Sequence, residues 1–320
     1  MTTLLLNIVA PWDGPDPVET AERALAAGLD GVGLVDSPRL FPDGFVEAER
    51  ILGATTAGLA GPCIASLGLR HAATVAGGLR TLERHHPRRA FTVVGRGESS
   101  VRNEGLPLPP LREYTASLTA LRSALTSPDG PALAPGRLLG AASGPRTIAA
   151  TAAALGGVMI DAGAEPAVVA RAVRLAREKD PRATVWLFLR ATVTSSGAEA
   201  VTATDPLLGS CAMRLVAAPE WYGVADADLA AVRAVAESHD YTRHGSAGAR
   251  RGHPTDADAF VRERFVLTGD PDRIAARVRP LAGLGVDGIV LAGGLAGTLE
   301  RLPDLVGALR RGLRRPEEQG

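Results

Sequence analysis

The first residues able to do chemistry follow the apolar run 31–35. Asp36 and Ser37 stand at its end, directly before Pro38. A carboxylate in that position can bind a ligand or orient a neighbouring side chain. It can equally close an Asx-type turn before the proline, and the residues alone leave both interpretations open.

A second group, Gly95-Arg96-Gly97-Glu98, follows the apolar run 90–94. Its two glycines allow the backbone to come close to a ligand. Burial in a cleft raises the pKa of a carboxyl group, so a buried Glu98 is suited to donate a proton. The alternative interpretation is a surface turn in which Glu98 is solvated.

A third group, Ser143-Gly144-Pro145-Arg146, joins an apolar run to a helical pattern. The free N–H groups of a first helical turn, a capping Ser143 and the Arg146 charge together suit a phosphate. An ordinary helix cap is the alternative. A rival phosphate loop contains Gly293 and Gly294, which follow the last apolar run of the chain.

The remaining candidate side chains exclude several kinds of site. No histidine pair has zinc-ligand spacing, and we predict no metal site. His239 and His244 are candidates to face a cleft. Cys63 and Cys211 are too few for a disulfide framework or a zinc cluster. Lys179 is the only lysine, so the Gly-Lys-Ser/Thr triplet of a P-loop is absent.

The apolar runs that precede these groups predict eight strands separated by helices. The strands are expected at residues 4–9, 31–35, 63–67, 90–94, 137–142, 157–160, 184–191 and 288–292. Runs with so little alternation are typical of parallel strands buried on both faces. Eight β–α units predict an α/β protein with a (β/α)8 TIM barrel, and an open doubly wound sheet is the alternative. In a barrel, the candidate groups would meet at the carboxyl ends of the strands.

The domain organisation follows from the same spacing. Residues 1–313 are predicted to form a single barrel domain, with helices and loops inserted at about 193–265, between the seventh and eighth strands. The clearest inserted helix is expected at 226–238. The polar residues 314–320 are expected to form a frayed tail.

Charge and hydropathy limit the partners of the protein. Its 35 basic and 35 acidic residues give a net charge of zero, whereas nucleic acids and anionic membranes select a basic excess. No apolar stretch reaches the roughly 20 residues of a membrane span, and the amino terminus does not read as a signal peptide. We therefore expect a cytoplasmic protein that binds neither nucleic acid nor membrane.

Taken together, the strand-end groups resemble those of the luciferase-like monooxygenase superfamily. The resemblance is carried, in this order, by GVGLVDSP (31–38), RH (70–71), FTVVGRGES (91–99), AASGPR (141–146) and DYTRHG (240–245). It spans roughly residues 4–294 and is closest to the branch that resembles methylenetetrahydromethanopterin reductase. It implies a (β/α)8 barrel with an insertion between strands seven and eight. It also implies coenzyme F420, or less often FMN, at the carboxyl-terminal face.

The resemblance also implies roles for single residues. Glu98 matches the acid that lies beside the deazaflavin ring and supplies a proton, and Asp36 matches the acid that ends strand two near the ring. Ser143 and Gly144 match the loop that takes the cofactor phosphate. The full set of implied cofactor-binding residues is Cys63, Ile64, Gly95, Gly97, Ser143, Gly144, Arg146, Gly156 and Gly157.

Two positions depart from the family pattern. The family has a non-prolyl cis peptide in strand three, which aligns with Cys63–Ile64, where relatives usually have a glycine first. Ser37 stands where several deazaflavin enzymes carry a histidine. Ser37 and, in the insertion, His244 are the candidates to contact the substrate.

The leading hypothesis is an F420-dependent reductase that transfers a hydride to an activated C=C or C=N bond. Its substrate would be a small molecule, a natural-product intermediate or a modified peptide. One alternative is an FMN-dependent monooxygenase of the same superfamily. Two others are a cofactor-binding barrel without turnover and an unrelated phosphate-binding lyase or isomerase that uses Gly293 and Gly294. The resemblance further implies a homodimer.

Overall fold

The computed structural model describes residues 2–127, 130–244, 246, 248–250, 255–293 and 299–314. Residues 315–320 of the expected tail and Gly294 of the rival phosphate loop lie outside the described residues. Within the described part of the chain, no helix combines the length and apolarity needed to cross a membrane.

Nine parallel strands form one sheet in the described part of the chain. They are β1 (Thr3–Ile8), β2 (Gly31–Leu34), β3 (Leu59–Ser66), β4 (Thr92–Gly95), β5 (Leu138–Ala142), β6 (Gly157–Ile160), β7 (Thr184–Val193), β8 (Val266–Gly269) and β9 (Gly288–Ala292). Eight of them close into a barrel in the order β1-β2-β3-β4-β5-β6-β7-β9, and β9 pairs back onto β1. The predicted (β/α)8 barrel is confirmed, and the open doubly wound sheet is wrong.

The extra strand, β8, lies outside the barrel ring. It pairs only with the last four residues of β7, from Arg190 opposite Val266 to Val193 opposite Gly269. The sequence analysis does not predict it, because only Val266 and Leu267 are apolar before the polar end of this strand. The apolar run in the sequence is Phe265–Leu267, three residues that begin in α11, so it does not stand out from a helix end.

Helices surround the barrel and fill the insertion. They are α1 (Pro17–Ala26), α2 (Gly44–Ala54), α3 (Ala72–His85), α4 (Glu98–Asn103), α5 (Leu111–Thr126), α6 (Pro145–Leu155), α7 (Pro166–Lys179), α8 (Gly197–Ala217), α9 (Pro219–Tyr222), α10 (Asp226–Glu237), α11 (Ala257–Phe265), α12 (Pro271–Ala282) and α13 (Leu302–Leu313). The inserted helix expected at 226–238 is confirmed as α10. The longest inserted helix, α8, is not evident in the sequence because Pro206 and Gly209 interrupt its helical pattern.

The ends of α1 illustrate why these segments are helical. Asp16 is the N-cap, and its carboxylate accepts a hydrogen bond of 2.9 Å from the Val18 N–H. Pro17 occupies the first helical position, where its missing N–H costs nothing. Beyond the last turn, Gly28 has φ +94°, a backbone conformation that L side chains rarely adopt.

Large apolar side chains fill the interior of the barrel. Trp186 is 2% exposed and its ring lies 5.5 Å from that of Phe91. Gly288 leaves the space for this indole, since a Cβ there would lie 2.8 Å from Trp186. Leu5 and Met159 belong to the same cluster. Because side chains alternate along a strand, residues two and four places further on also point inward, nearer the carboxyl end.

Candidate functional site

A cleft of about 290 Å³ opens at the carboxyl ends of the barrel strands. The alternation that buries Leu5, Met159 and Trp186 carries Asn7, Asp161 and Arg190 inward at this end, and all three line the cleft. Nine of the residues predicted from the sequence also line it: Asp36, Ser37, Cys63, Ile64, Gly95, Gly97, Glu98, Ser143 and His244.

A buried ion cluster forms one wall of the cleft. Arg190 holds Asp161 through two hydrogen bonds, of 2.7 and 3.0 Å. Arg214 of α8 pairs with the same carboxylate. Burial alone would raise the pKa of Asp161, but the charges and hydrogen bonds of Arg190 and Arg214 outweigh it and lower the pKa to about 2. Two guanidinium groups on one carboxylate leave a net positive charge beside the cleft.

Sequence reasoning missed this cluster and Asn7. The overlooked signal was a lone polar residue in an apolar strand: Arg190 in TVWLFLRATV and Asn7 in TLLLNI. A polar side chain that points inward at the carboxyl end of a barrel strand needs a hydrogen-bond or ion-pair partner inside the barrel opening. Asp161 directly follows β6, so it carried the same strand-end signal as Asp36.

The floor of the cleft is shaped at β3 and β4. The Cys63–Ile64 peptide is cis, as the family resemblance implied. The side chain of Ile64 passes directly over Gly95, where a Cβ would lie 2.7 Å from Ile64 Cγ2. Burial raises the pKa of the Cys63 thiol, so this residue contributes a neutral surface. A side chain at position 95 would displace Ile64 and change the shape of the floor.

Asp36 lines the cleft, but its carboxylate is already engaged. Arg70 donates to both oxygens, at 2.7 and 2.8 Å, and a second Nη2 contact of 2.7 Å ties Arg70 to Asp43. The Gly44 N–H adds a hydrogen bond of 3.4 Å to Asp36. Asp36 thus orients a neighbouring side chain, Arg70, which is one of the roles left open by the sequence. The Asx-type turn is wrong, because the carboxylate oxygens are held by Arg70 and Gly44. The adjacent Ser37 has a buried hydroxyl without a partner.

Glu98 is the first residue of α4, after Gly97 in the left-handed conformation with φ +80°. Its carboxylate lies 3.4 Å from the Tyr241 hydroxyl and 3.5 Å from Arg102. The expectation that Glu98 is buried is wrong, because its side chain is 44% exposed. A short helix at the rim lifts the carboxylate towards solvent, which places it on the cleft without removing it from water.

The Ser143 loop joins β5 to α6 as predicted, with a different cap. Gly144 occupies the N-cap position and no side chain caps the helix, so a capping role for Ser143 is wrong. The Ser143 carbonyl instead accepts a 2.7 Å hydrogen bond from Tyr222. The first-turn N–H groups at Arg146 and Thr147 precede the first intrahelical hydrogen bond, so they remain available. Thr147 lines the cleft, whereas Arg146 is exposed and does not.

Gly156 and Gly157 do not lie beside the Ser143 loop. Gly156 ends α6 with φ +67°, and Gly157 begins β6, opposite Thr184. These positions belong to the amino-terminal end of the barrel, about 16 Å along the helix from its start. Their predicted proximity to a cofactor phosphate is wrong, because a helix between parallel strands returns the chain to the far end of the sheet.

His244 lies where the insertion meets the cleft. Its Nδ1 is 3.0 Å from His239 Nε2, and the His239 ring lies edge-on to Tyr241. Burial, followed by the charges of His239, Arg214 and Arg190, lowers the pKa of His244 to about 3. The imidazole is therefore neutral at physiological pH.

A second cavity, of about 530 Å³, adjoins the cleft. We refer to it as the chamber; its walls come from α8 and from the carboxyl ends of β1, β2, β7 and β9 with the residues that follow them. Seven residues line both the cleft and the chamber: Asn7, Val35, Phe41, Phe188, Arg190, Ser210 and His244. Two ligands could therefore meet over these shared residues.

The sequence matches the family model for luciferase-like monooxygenases over residues 13–288. No curated protein matches it in sequence. Solved structures with a similar fold include a coenzyme F420-dependent tetrahydromethanopterin reductase from Methanopyrus kandleri, at 16% identity and a TM-score of 0.74, over 98% of this chain and 99% of that one. An F420-dependent secondary alcohol dehydrogenase in complex with an F420–acetone adduct has 17% identity and a TM-score of 0.71, over 98% and 99%. An EDTA monooxygenase from Chelativorans sp. BNC1 has 14% identity and a TM-score of 0.61, over 97% and 93%.

Proposed function

Since the chain belongs to the luciferase-like monooxygenase family, we propose that it is a coenzyme F420-dependent reductase. It transfers a hydride to an activated C=C or C=N bond of a small molecule or natural-product intermediate. The observation that carries this proposal is the junction of two cavities, a polar cleft and a chamber, over the same seven residues. Such a junction suits a reaction between a bound cofactor and a separate organic substrate.

The cleft residues fit a planar cofactor ring. Gly95 keeps the floor open beside Ile64, where a side chain would collide. Asn7 Oδ1 and Ser37 Oγ are buried on the cleft without hydrogen-bond partners. Unpaired buried polar atoms cost about 1–3 kcal/mol each, and a ligand with complementary polar edges recovers that energy. Cys63 and Gly97 would complete the surface against the ring.

The phosphate of the cofactor would lie at the start of α6. Ser143 and Gly144 lead into the helix, and the unused N–H groups of its first turn attract an anion. Arg146 stands at the second helical position, exposed, where its charge would favour the same anion. Gly156 and Gly157 take no part in this proposal.

The arginines favour F420 over FMN. Arg96 and Arg214 line the cleft, and the tail of F420 adds carboxylates to the phosphate that both cofactors carry. The two similar structures described as F420-dependent have TM-scores of 0.74 and 0.71. A riboflavin lyase with modified FMN and the EDTA monooxygenase have 0.62 and 0.61. Because of these two structures, an FMN-dependent monooxygenase is the second candidate function.

The bound deazaflavin would supply the hydride, and the protein must orient the substrate, exclude water and supply a proton. Glu98 lines the cleft and is the first candidate for proton transfer, and the Tyr241 hydroxyl donates to its carboxylate at 3.4 Å. His244, neutral and on the cleft, is the second candidate for proton transfer. The Asp36 carboxylate, held by Arg70, is proposed to position the cleft wall near the ring.

The first test is binding. The purified protein is titrated with oxidised F420 and, separately, with FMN, by following protein fluorescence. We expect saturation at micromolar or lower concentration with F420 alone. Gly95→Val should weaken F420 binding at least tenfold, because the new side chain displaces Ile64. Gly53→Ala on α2, with no atom within 4 Å of the new Cβ, is the matched control.

Saturation by FMN alone would replace the proposal with the monooxygenase, and binding of neither cofactor would refute both. The second test is turnover of reduced F420 with a panel of activated alkenes and imines. Glu98→Gln should retain F420 binding and reduce turnover by at least tenfold. Binding without any turnover in the wild type would favour the cofactor-binding barrel instead.

A further inference from the structure

The chamber has one wall made by a single face of α8. Ala203, Pro206 and Leu207 lie on that face and line the chamber. Opposite them, Val9 and Phe188 come from the β1 and β7 ends. These side chains are apolar and present no hydrogen-bonding group to a ligand.

The hydroxyl groups on this wall donate to carbonyls of their own helix. Thr202 donates to the Ala198 carbonyl at 3.2 Å, and Ser210 donates to the Leu207 carbonyl at 2.9 Å. A hydroxyl that bonds to its own helix offers little to a ligand. The wall is therefore less polar than its composition suggests.

The one acid that lines the described part of the chamber is also occupied. Glu199 accepts a hydrogen bond of 2.6 Å from the Ser195 N–H, while the Ser196 hydroxyl caps the Glu199 N–H at 3.1 Å. The arrangement resembles a capping box at the start of α8, except that Glu199 accepts from the residue before the N-cap Ser196. Arg301 lies 3.6 Å from the other Glu199 oxygen. A cationic substrate would have to break this helix cap to reach the carboxylate.

Polar groups are concentrated at the junction with the cleft. Asn7 lines both cavities, and its side-chain amide carries N–H donors. His244 contacts His239 through Nδ1. Arg190, the only arginine among the described residues that line the chamber, is held by both oxygens of Asp161. The second arginine on that carboxylate, Arg214, lines the cleft and not the chamber. This end can receive one neutral polar group, whereas the rest of the chamber favours hydrocarbon.

Resting on the proposed function, we infer that the chamber selects an uncharged, predominantly apolar substrate. Its single polar group, a carbonyl or imine, accepts a hydrogen bond from the Asn7 amide N–H beside His244, so that the reducible C=C or C=N bond faces the cleft. A volume of 530 Å³ is within the range of small-molecule sites. Polyanionic substrates do not suit it, because no unpaired cation is present among its described lining residues.

A homologous series of saturated 2-alkanones, from 2-butanone to 2-decanone, tests this inference by calorimetry on the F420-loaded protein. Each added methylene should tighten binding about threefold to fourfold until the chamber is full, as expected from about 0.8 kcal/mol per buried CH2. Straight-chain carboxylates of equal length should bind at least tenfold more weakly, because their charge finds no free cation.

Two α8 variants locate the effect. Ala203→Phe fills the chamber and should abolish the chain-length dependence while leaving F420 binding unchanged. Val201→Phe, two residues away and 45% exposed, is the matched control and should behave as wild type. Flat affinities across the ketone series, or tighter binding of the carboxylates, would overturn the inference. If F420 fails to bind while the affinity of the apo-protein for the 2-alkanones still rises with chain length, that result would refute the proposed function but would support an apolar chamber.

Discussion

Asp161 holds two arginines in place beside the cleft, and this makes it the most sensitive single residue of the candidate site. Replacing it by Asn leaves Arg190 and Arg214 close together with no carboxylate between them. Removing one partner of a buried ion pair costs about 3–5 kcal/mol, because an uncompensated charge remains. We expect Asp161→Asn to lower the free energy of unfolding by about 3 kcal/mol, measured by urea denaturation at pH 7.

Glu178→Gln provides the control for that measurement. It breaks a pair with Arg174 in which both side chains are at least 60% exposed, at a distance of 3.9 Å. Exposed pairs contribute about 0–1 kcal/mol. Equal losses in the two variants would show that the Asp161 cluster has no special energetic role.

His244 predicts a pH dependence of stability. Its folded pKa of about 3 lies below the ordinary value near 6.5, because burial and neighbouring positive groups oppose its charge. The neutral form is therefore favoured by folding, and its contribution is fully present above about pH 6.5. Below that pH the unfolded state takes up the proton first, so stability is lost progressively as the pH falls towards 3.

His244→Gln removes this proton uptake. Between pH 7 and pH 5 the wild type should lose about 2 kcal/mol of unfolding free energy more than the variant does. Urea denaturation at the two pH values measures the difference. A wild type and variant that lose the same amount would mean that His244 is not held neutral by the fold.

At the scale of single elements, α3 contains two adjacent glycines in different surroundings. A Cβ at Gly77 would meet no atom within 4 Å, whereas one at Gly78 would lie 2.9 Å from Phe45 Cδ1. Gly77→Ala should stabilise the protein by about 0.5–1 kcal/mol, since alanine is the better helix former. Gly78→Ala should lose that gain by forcing Phe45 to move.

Thermal unfolding of the two alanine variants measures this contrast. Because the substitutions are identical and adjacent in one helix, intrinsic helix propensity cancels between them. A melting temperature raised equally in both variants would contradict the packing of α2 against α3 through Phe45.

The elements themselves were predictable to different degrees. The barrel strands are apolar runs of four or more residues, and such runs are local signals. β8 was missed because its pairing with the end of β7 depends on where the insertion returns. Pro206 and Gly209 interrupt the helical pattern of α8, so α8 was not predicted. In the structure its buried face, which includes Leu208 and Leu215, packs against the neighbouring elements.

At the scale of the whole molecule, the insertion and the barrel share one core. Leu208 and Val232 of the insertion belong to the same buried cluster as Ile148 and Val173 of the barrel helices. Arg171 of α7 also lies 5.4 Å from the ring of Trp221. These contacts predict that the insertion and the barrel unfold together.

Single-tryptophan variants test this cooperativity. One keeps Trp186, inside the barrel, and the other keeps Trp221, in the insertion; phenylalanine replaces the other tryptophans. Within each variant, the fluorescence and circular dichroism transitions should coincide in urea. An earlier transition at Trp221 would indicate that the insertion unfolds as a separate unit, against the predicted single domain.

The homodimer remains a prediction from the family resemblance. Light scattering during gel filtration should give twice the chain mass of 33.0 kDa. A mass of one chain, unchanged at tenfold higher concentration, would contradict it.

Local sequence patterns were enough to predict the barrel and the face on which the cleft opens, because the apolar runs and the order of strands and helices are local properties. They also identified Ser37, Gly95, Gly97 and Glu98 as residues of that face, since each follows or ends a strand. Whether these residues bind the cofactor stays a prediction.

The partners of the strand-end side chains are evident only in the folded chain. Asp36 is held by Arg70, 34 residues away, and Asp161 by Arg190, 29 residues away. Glu98 is exposed because α4 raises it to the rim. Pairing and burial of this kind depend on how the closed barrel directs side chains from separate strands into one space, and no local pattern encodes that geometry.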